Sequence, residues 1–458
     1  MEIAAKKAVV LGAGVSGVTV AKALRRVQAD VTLVDGKEAE QLPLQVLNLA
    51  NEGIHLQLGA EAEECLEDAD FLVVSPGIPL KAAYVGKAQQ RGIPVVSEVE
   101  IAYQLCKAPM LAITGTNGKT TTTTLLGEMI KASGFKTAVG GNIGAGLSEQ
   151  VLDLGANDMA VAEISSYQLE SVQEFRPYVA AVLNVTPDHL ERHGTVEQYS
   201  SVKERVFNKQ GAEDVVVLNY DDPITRDMAK RAPGRVLFFS RLEVLPEGAF
   251  VRAGKMVIRW QGAEISLLDA AELGLPGAHN VENVLAAAAM AYVAGVTPQV
   301  ICDVLRSFEG VEHRIELVAE IDNVKYYNDS KATNPESTIK ALEAFDTGII
   351  LLAGGKDKNT DLQTMMKLVK DKARCLLLFG AAAERFEAEA RRAGVQQIRL
   401  VSGVEEAIQV AKALAQPAEV VLLSPACASF DQFSSFEERG RFFKECVAAL
   451  EAATGGQA

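Results

Sequence analysis

The chain has 458 residues, a length that allows about two to four domains, and its 48% hydrophobic and 23% charged residues are typical of a soluble globular protein. Acidic residues outnumber basic ones by 60 to 45, which leaves a net charge of −15. This balance argues against a nucleic-acid-binding protein, because such a protein needs a basic face.

Three further features predict a cytoplasmic protein without membrane insertion. The six cysteines form no C-x-x-C pair and no zinc-type spacing, so they are expected to be reduced thiols. The N-terminus leads directly into a predicted strand, and no signal peptide is expected. The longest apolar stretch, around Val284 to Val296, is too short and too rich in alanine to span a bilayer.

The first segment has the pattern of a dinucleotide-binding domain. A strand at 8–11 leads into the glycine-rich turn 12–17, which is followed by a helix and by a second strand that ends at Asp35. This fingerprint alone is weak evidence for NAD, since it indicates only that a nucleotide or diphosphate can bind at the helix N-terminus. A later strand, 70–74, precedes the loop 75–79 at the edge of the sheet where α/β proteins bind ligands.

The end of this first segment is also visible in the sequence. Residues 93–96 have the apolar pattern expected of its last strand. Residues 97–109 are predicted to be a linker.

A phosphate-binding loop is predicted at 114–121. The apolar strand 110–113 precedes it and a helix from about Thr122 follows it, so backbone N–H groups and the positive end of the helix dipole would face an anion. Lys119 would reach the terminal phosphates and the next residue would hold Mg²⁺. The standard pattern places a glycine where this chain has Ile113, so an ordinary glycine-containing turn is the alternative.

Polar residues follow the next two predicted strands. The apolar strand at 159–166 carries Glu163 near its end, which suggests a Mg²⁺ ligand or a residue that holds water, although a helix-capping role is the alternative. The loop 186–193 contains two histidines and two acidic residues, as in a polar site, and a surface role remains open for His193. The glycine-rich loop 140–144 lies between these segments and the phosphate loop.

The rest of the chain continues the alternation of strands and helices. Residues 238–268 have the alternating, glycine-punctuated pattern of antiparallel strands, and an alanine-rich helix follows in which Asn280 and Asn283 share a face. Strands predicted at 324–327, 349–353, 375–380 and 420–423 then alternate with helices, with polar motifs at the strand ends, and this order predicts a further parallel sheet.

The chain contains six polar or glycine-rich motifs. In chain order they are Gly115-Thr116-Asn117-Gly118-Lys119-Thr120, Asn142 with Glu163, Thr186-Pro187-Asp188-His189, Leu275-Pro276-Gly277-Ala278-His279-Asn280, His313-Arg314 and Asp329-Ser330-Lys331-Ala332-Thr333-Asn334. Together they resemble the Mur ligase family, ATP-dependent amide ligases of peptidoglycan precursor synthesis, over essentially the whole chain. The resemblance implies an α/β fold with three domains. These are a Rossmann-like UDP-substrate-binding domain at 1–97, a P-loop ATPase-like central ATP-binding domain at 98–311, and a Rossmann-like amino-acid-binding domain at 312–458.

The resemblance is strongest to the branch of the family that adds D-glutamate to UDP-N-acetylmuramoyl-L-alanine. The first domain with its turn 12–17 and the segments 186–195 and 424–433 carry it, and the Asp-Asn-Pro-Arg motif of diaminopimelate-adding relatives is absent from the sequence. It implies ATP and Mg²⁺ as cofactors, an acyl-phosphate intermediate and a monomeric enzyme.

Other functions explain less of the chain. Another Mur-type or folylpolyglutamate-type ligase is the main alternative, although the second of these lacks a first domain of this kind. An NAD-dependent dehydrogenase would explain only the first segment, and a regulatory ATPase would explain only the phosphate loop.

The resemblance also implies roles for individual residues. Those expected to be catalytic are Lys119, Asn142, His189 and Lys203. ATP would contact Gly115, Thr116, Asn117, Gly118, Lys119, Thr120, Thr121, Asn280, Asn283, Arg314, Asp329 and Lys331. Mg²⁺ would be held by Thr120, Glu163, His189 and Lys203, the last as a carbamate, although from its sequence context alone this lysine resembles an ordinary surface residue. The UDP-substrate would contact Val15, Ser16, Asp35, Ser75, Pro76, Gly77 and Asn142. D-glutamate would contact Thr333, Lys358, Ser429 and Phe436.

Overall fold

A computed structural model describes residues 3–59, 63–144, 146–275, 277–308, 310–346, 348–357 and 360–455. Its strands form three sheets flanked by helices, so the predicted α/β fold with three domains is confirmed. The chain divides into two compact units, Met1–Glu272 with Val281–Ser307 and Leu273–Asn280 with Phe308–Ala458. Within the described ranges, no helix has both the length and the hydropathy that a membrane span requires.

The first sheet contains five parallel strands with buried apolar side chains on both faces. The strands are β1 (Lys7–Leu11), β2 (Asp30–Asp35), β3 (His55–Leu58), β4 (Phe71–Val74) and β5 (Val95–Ser97). The accompanying helices are α1 (Val15–Arg26), α2 (Leu44–Leu47), α3 (Ala83–Gln90) and α4 (Glu98–Leu105). The strand order is β3-β2-β1-β4-β5, as in a Rossmann-like half. The turns after β1, β2 and β4 therefore meet at one edge of the sheet.

The expectation of a linker at 97–109 was wrong, because this segment contains α4. The carboxylate of Glu100 is fully buried and accepts hydrogen bonds from the three backbone N–H groups of residues 173–175, at 2.8 to 3.2 Å. Glu98 accepts a bond of 2.8 Å from the N–H of Ser148. Two acidic residues suggest a solvent-exposed segment, but here distant backbone donors compensate the burial of the Glu100 carboxylate. Glu98 Oε2 has no hydrogen-bond partner among the described residues, and burial raises the pKa of this side chain.

The second sheet has nine strands and carries the phosphate loop. The strands are β6 (Met110–Thr114), β7 (Thr137–Gly141), β8 (Met159–Glu163), β9 (Val179–Val182), β10 (Val215–Asn219), β11 (Arg235–Ser240), β12 (Gly248–Arg252), β13 (Lys255–Trp260) and β14 (Ala263–Asp269). The helices are α5 (Lys119–Ala132), α6 (Leu147–Gln150), α7 (Ser166–Leu169), α8 (Leu190–His193), α9 (Val196–Glu204), α10 (Pro223–Met228), α11 (Ala278–Val293) and α12 (Pro298–Ser307). The order is β14-β13-β12-β11-β10-β9-β6-β8-β7, which places β6 between β9 and β8.

The antiparallel pattern predicted for 238–268 is found in only part of this segment. The pairs β12 with β13 and β13 with β14 are antiparallel, as expected. Strand β11, however, pairs in parallel with both β10 and β12. Alternation of polar and apolar residues therefore identified the strands but not the direction of the first one.

The third sheet has six strands, and apolar residues are buried on both of its faces. The strands are β15 (Glu316–Ile321), β16 (Val324–Asn328), β17 (Ile349–Gly354), β18 (Ala373–Phe379), β19 (Ile398–Leu400) and β20 (Val420–Leu423). The helices are α13 (Pro335–Glu343), α14 (Gln363–Lys372), α15 (Ala383–Ala393), α16 (Val404–Leu414) and α17 (Phe436–Gly455). The order is β15-β16-β20-β17-β18-β19, and all pairs except β15 with β16 are parallel.

Candidate active site

A cleft of about 520 Å³ opens at the carboxyl edge of the first sheet. It is lined by the turn after β1, by the end of β2, by the loop after β4 and by one residue of the second domain. All seven residues predicted for the UDP-substrate line this cleft: Val15, Ser16, Asp35, Ser75, Pro76, Gly77 and Asn142. The structure thus brings together the residues that the resemblance assigned to one ligand.

The glycine-rich turn after β1 is held by its own geometry and by Asp35. Gly12 has a φ of 100°, and a side chain at Gly17 would lie 1.8 Å from the Gly12 carbonyl oxygen. The Asp35 carboxylate accepts hydrogen bonds from the N–H groups of Ala13 at 2.7 Å and Lys37 at 2.9 Å. The turn therefore brings the N-terminus of α1 to the cleft, where backbone N–H groups can bind an anion.

The phosphate loop joins β6 to α5 and contains two glycines in conformations that side chains disfavour. Gly115 has a φ of 154° and Gly118 a φ of 86°. A side chain at Gly118 would come within 2.2 Å of the Asn283 Oδ1 atom, so this predicted ATP residue lies directly against the loop. The loop and the start of α5 thus have the strand-turn-helix geometry of a phosphate site, although Ile113 replaces the usual glycine.

The segment after β9 supports the phosphate loop, a role that the sequence analysis missed. The Asn184 side chain accepts from the N–H of Asn117 at 2.8 Å and donates to its carbonyl oxygen at 3.0 Å. The Thr116 hydroxyl accepts from the N–H of Thr186 at 3.0 Å. This pairing is not visible locally, because the partners are about 70 residues apart.

Lys119 and Lys203 both donate to the phosphate loop. Lys119 Nζ bonds the carbonyl oxygens of Gly115 at 2.9 Å and Thr116 at 2.8 Å. Lys203 Nζ bonds the same Gly115 oxygen at 2.8 Å and lies 4.2 Å from the centre of the Tyr199 ring. Burial, followed by the nearby charge of Lys119, lowers the pKa of Lys203 well below its usual range. The surface position suggested by its sequence context was wrong, since Lys203 is 1% exposed.

Asn142 and Glu163 connect the cleft with the phosphate-loop side of the second sheet. Asn142 Nδ2 donates to Glu163 Oε1 at 2.8 Å, and its backbone N–H donates to the Glu163 carbonyl oxygen at 2.8 Å. Glu163 in β8 pairs with Ile113 in the adjacent strand β6, just before the phosphate loop. The Glu163 side chain is buried, and its Oε2 atom has no hydrogen-bond partner among the residues that the structure describes.

This carboxylate fits the predicted Mg²⁺ site. A buried carboxylate oxygen without a partner is costly unless a cation or a ligand completes it. No group of three or more histidine, cysteine or acidic side chains suited to a metal occurs in the described part of the chain. Of the residues predicted for Mg²⁺, Glu163 and Thr120 offer oxygen atoms, the kind of ligand that Mg²⁺ accepts together with oxygens of substrate or water.

His189 is held at the start of α8 by a tyrosine that the sequence analysis missed. Its Nδ1 atom is hydrogen-bonded to the Tyr167 hydroxyl at 2.8 Å, and its Nε2 atom lies 3.6 Å from Asp188 Oδ2. Burial raises the pKa of Tyr167 to about 12, so the phenol stays protonated. The imidazole is thus fixed at one edge, and its other nitrogen lies beside a carboxylate.

Four of the predicted ATP residues, Asn280, Arg314, Asp329 and Lys331, lie in the second unit, where Asp329 is the best defined. It follows β16, is buried, and accepts from the Ser424 hydroxyl at 2.7 Å and the N–H of Ile315 at 3.3 Å. Burial raises the pKa of Asp329 to about 7, and the opposite charge of Arg314 acts against this shift. Asp329 and Arg314 are therefore electrostatic neighbours.

Lys331, a residue predicted for ATP, contacts two residues that are predicted for D-glutamate. Its Nζ atom lies 5.0 Å from the centre of the Phe436 ring, a residue predicted for D-glutamate. The N–H of Thr333 donates to the Lys331 carbonyl oxygen at 2.9 Å. Ser429 is 2% exposed, and its hydroxyl has no hydrogen-bond partner among the described residues. Lys358, the fourth residue predicted for D-glutamate, lies outside the described residues.

A buried arginine on α17 organises this region and was not predicted. Arg439 is fully buried, and it bonds the Ser330 hydroxyl at 2.9 Å and the carbonyl oxygens of Ser330 at 2.8 Å and Cys427 at 3.1 Å. Burial lowers the pKa of Arg439 to about 10. It links the segment after β16 to the segment after β20, two strand ends that carry predicted site residues.

Three family models match consecutive parts of the chain. Residues 6–97 match the Mur ligase MurD-like N-terminal domain, residues 113–291 the Mur ligase middle domain, and residues 313–427 the Mur ligase glutamate ligase domain.

Relatives of high identity cover almost the whole chain. The UDP-N-acetylmuramoylalanine--D-glutamate ligase of Pelotomaculum thermopropionicum is 46% identical over 446 residues, which are 97% of this chain and 98% of that protein. The protein of the same name from Thermoanaerobacter sp. is 45% identical over 98% of this chain and 100% of its own length.

Solved structures of lower identity share the fold. A pseudomurein peptide ligase type C from Methanothermus fervidus has a TM-score of 0.61 at 19% identity, covering 97% of this chain and 100% of that one. MurF from Thermotoga maritima in complex with ADP has a TM-score of 0.59 at 17% identity, covering 92% and 96%.

Proposed function

The chain belongs to the Mur ligase family, and we propose that it joins D-glutamate to UDP-N-acetylmuramoyl-L-alanine in an ATP-dependent reaction. The observation that carries this proposal is the bond between Asn142 and Glu163. One partner lines the cleft of the first sheet, and the other ends the strand beside the phosphate loop. A substrate bound in the cleft can thus reach toward the γ-phosphate of ATP with its carboxylate.

The cleft suits the uridine diphosphate part of the substrate. The N-terminus of α1 offers backbone N–H groups to the diphosphate, and the loop 75–78 forms the opposite wall. Asp35, at the end of β2, supports the turn and would face the uridine. The seven lining residues named above are proposed as the subsite for this substrate.

Lys119 is proposed to stabilise charge on the transferring phosphoryl group. Its ammonium bonds two loop carbonyl oxygens, and we expect it to exchange these for phosphate oxygens when ATP binds. Phosphoryl transfer depends mainly on positioning and on charge neutralisation. Bound Mg²⁺, held by Thr120 and Glu163, would supply further positive charge beside the phosphates.

Lys203 is proposed to act as a carbamate. Burial lowers the pKa of this amine, which favours the neutral form that can attack CO₂. The new N–C bond forms with loss of one proton, and the product is an anionic oxygen donor. Such a donor can serve a second Mg²⁺ together with His189, whereas a protonated amine cannot.

The reaction then follows from these placements. The substrate carboxylate attacks the γ-phosphorus, ADP leaves, and an acyl phosphate forms. The neutral amine of D-glutamate attacks the acyl carbon, and phosphate leaves from the tetrahedral intermediate with loss of a proton from nitrogen. Asn142 and His189 are proposed to orient the reacting groups.

The second unit is proposed to supply the amino acid site and part of the ATP site. Arg314, Asp329 and Lys331 would contact ATP, together with Asn280 and Asn283 of α11. The residues proposed for D-glutamate are Thr333, Lys358, Ser429 and Phe436. The Ser429 hydroxyl supports this, since it is buried without a partner in the described ranges and can donate to a carboxylate.

We also propose domain boundaries at 97/98 and 311/312, a monomeric state and a cytoplasmic location. The substrates, a sugar nucleotide and ATP, are water-soluble, which supports the location. Light scattering on the purified chain tests the monomeric state.

The function is tested by ATP-dependent phosphate release with UDP-N-acetylmuramoyl-L-alanine and each glutamate enantiomer. We expect release only with the sugar nucleotide, ATP, Mg²⁺ and the D enantiomer together. Equal release with L-glutamate, or release without an amine, would contradict the proposal. Mass spectrometry of the product confirms the new amide.

A further inference from the structure

Arg192 lies in α8 and is one of the most extensively hydrogen-bonded cations of the first unit. Its side chain is only 14% exposed, and its partner Glu170 is 13% exposed. The guanidinium donates to the Glu170 carboxylate through Nε at 3.0 Å and through Nη2 at 2.6 Å. This is the two-point geometry in which an arginine is held most firmly by a carboxylate.

The same guanidinium reaches the wall of the sugar-nucleotide cleft. Nη1 donates to the Pro76 carbonyl oxygen at 3.3 Å, and Nη2 donates to the Ile78 carbonyl oxygen at 3.2 Å. Both residues line the cleft. Arg192 therefore joins a loop of the first sheet to a carboxylate at the end of a helix of the second sheet.

Arg192 also contacts the residue that fixes His189. Its Cζ atom lies 4.4 Å from the centre of the Tyr167 ring, whose hydroxyl bonds His189 Nδ1 at 2.8 Å. Arg192 thus holds the cleft wall, Tyr167 holds the His189 imidazole, and the two side chains contact each other. A displacement of the guanidinium would shift both.

We propose that Arg192 is a positioning residue that sets the cleft wall 75–78 in the conformation that binds the sugar nucleotide. This inference rests on the proposed function. Carbonyl oxygens of a loop are held by hydrogen-bond donors, and one half-buried cation supplies both bonds between the two domains. A lysine offers a compact point charge without the planar fork, so it cannot bond the carboxylate and both carbonyls in this geometry.

The test compares Arg192→Lys and Arg192→Met with a control on the same segment. Arg205 is half-buried and bonds the carbonyl oxygens of Glu170 and Val172, both of the second domain, so Arg205→Lys removes similar bonds without touching the cleft. The measurements are KM for each of the three substrates, calorimetric binding of UDP-N-acetylmuramoyl-L-alanine, and the thermal unfolding midpoint.

We expect both Arg192 variants to weaken binding of the sugar nucleotide about tenfold, a fold-change that corresponds to the loss of one good hydrogen bond. KM for ATP and for D-glutamate should change less than about twofold. Arg205→Lys should lower the unfolding midpoint without this selective effect. Unchanged sugar-nucleotide binding in both Arg192 variants, or equal changes in all three KM values, would overturn the inference. Calorimetry needs no turnover, so an inactive wild-type chain would contradict only the proposed function.

Discussion

Lys119 and Lys203 donate hydrogen bonds to the same oxygen atom, the carbonyl of Gly115, at 2.9 and 2.8 Å. Two ammonium groups on one acceptor repel each other, and burial disfavours the charged form of the more deeply buried one. Burial and the charge of Lys119 both lower the pKa of Lys203. One oxygen of the phosphate loop thus accepts from both the amine proposed to bind the phosphates of ATP and the amine proposed to become a carbamate.

Replacement of Lys203 tests the modification. Lys203→Ala should be nearly inactive, and acetate should restore part of the turnover by occupying the vacated oxygen site. Lys203→Arg should stay inactive, because a guanidinium does not form the carbamate. Phosphate release with and without acetate is the measurement, and wild-type enzyme in acetate is the control. Full activity of Lys203→Arg would rule out the carbamate.

Replacement of Lys119 tests the phosphate-loop assignment. Lys119→Ala should lower kcat by about a thousandfold or more, since a charge aimed at the transferring phosphoryl group is removed. Lys131 lies near the end of the same helix, half-exposed and paired with Glu128, so Lys131→Ala is the matched control and should keep full activity. Circular dichroism checks that both variants fold. A Lys119→Ala variant that keeps most of its turnover would contradict the assignment.

Alanine substitutions at Gly118 and Gly134 allow the cost of backbone strain to be measured apart from the effect of a steric collision. Gly118 and Gly134 have φ values of 86° and 89°, but a side chain at Gly118 would meet Asn283 at 2.2 Å, whereas nothing lies within 4 Å of one at Gly134. Each alanine should cost about 1 kcal/mol of stability from the φ value. Only Gly118→Ala should also weaken ATP binding, because it displaces Asn283 from the loop. Equilibrium denaturation and nucleotide titration measure the two effects. Equal ATP affinity in both variants would argue against the role of Asn283.

The raised pKa of Asp329 predicts that the free energy of unfolding depends on pH. Its pKa is raised to about 7 in the folded protein from 3.8, so between these values the native state binds more protons than the unfolded state. Stability contributed by this group is therefore lost as the pH rises from about 4 to 7, by up to roughly 4 kcal/mol for three pKa units. Asp329→Asn should remove this part of the slope. Denaturation of both proteins without nucleotide from pH 4.5 to 8 measures the difference, and parallel curves would show that Asp329 does not titrate in this range.

The sequence predicted most of the fold and the residues that line the cleft, because these follow local rules. A strand, a glycine-rich turn and a helix define the cleft at Gly12 and the phosphate loop at Gly115, and the roles that the family resemblance implies for the other site residues stay predictions. The supporting residues could not be predicted in this way. Asn184, Arg192 and Arg439 act through partners that are distant in sequence, and neither spacing nor periodicity encodes such pairs. The direction of β11 and the role of α4 were missed for the same reason.

Helix α4 limits where this chain can be cut into pieces. The three N–H groups of residues 173–175 point at the Glu100 carboxylate, so a fragment that begins at Pro109 leaves them without their acceptor. A fragment that ends at Leu105 instead exposes a carboxylate pair that has lost its donors. The helix therefore packs on the cores of both domains, while its carboxylates are bonded by backbone donors of the second domain. A modular exchange of the sugar-nucleotide domain between related enzymes would have to join the chains before Glu98.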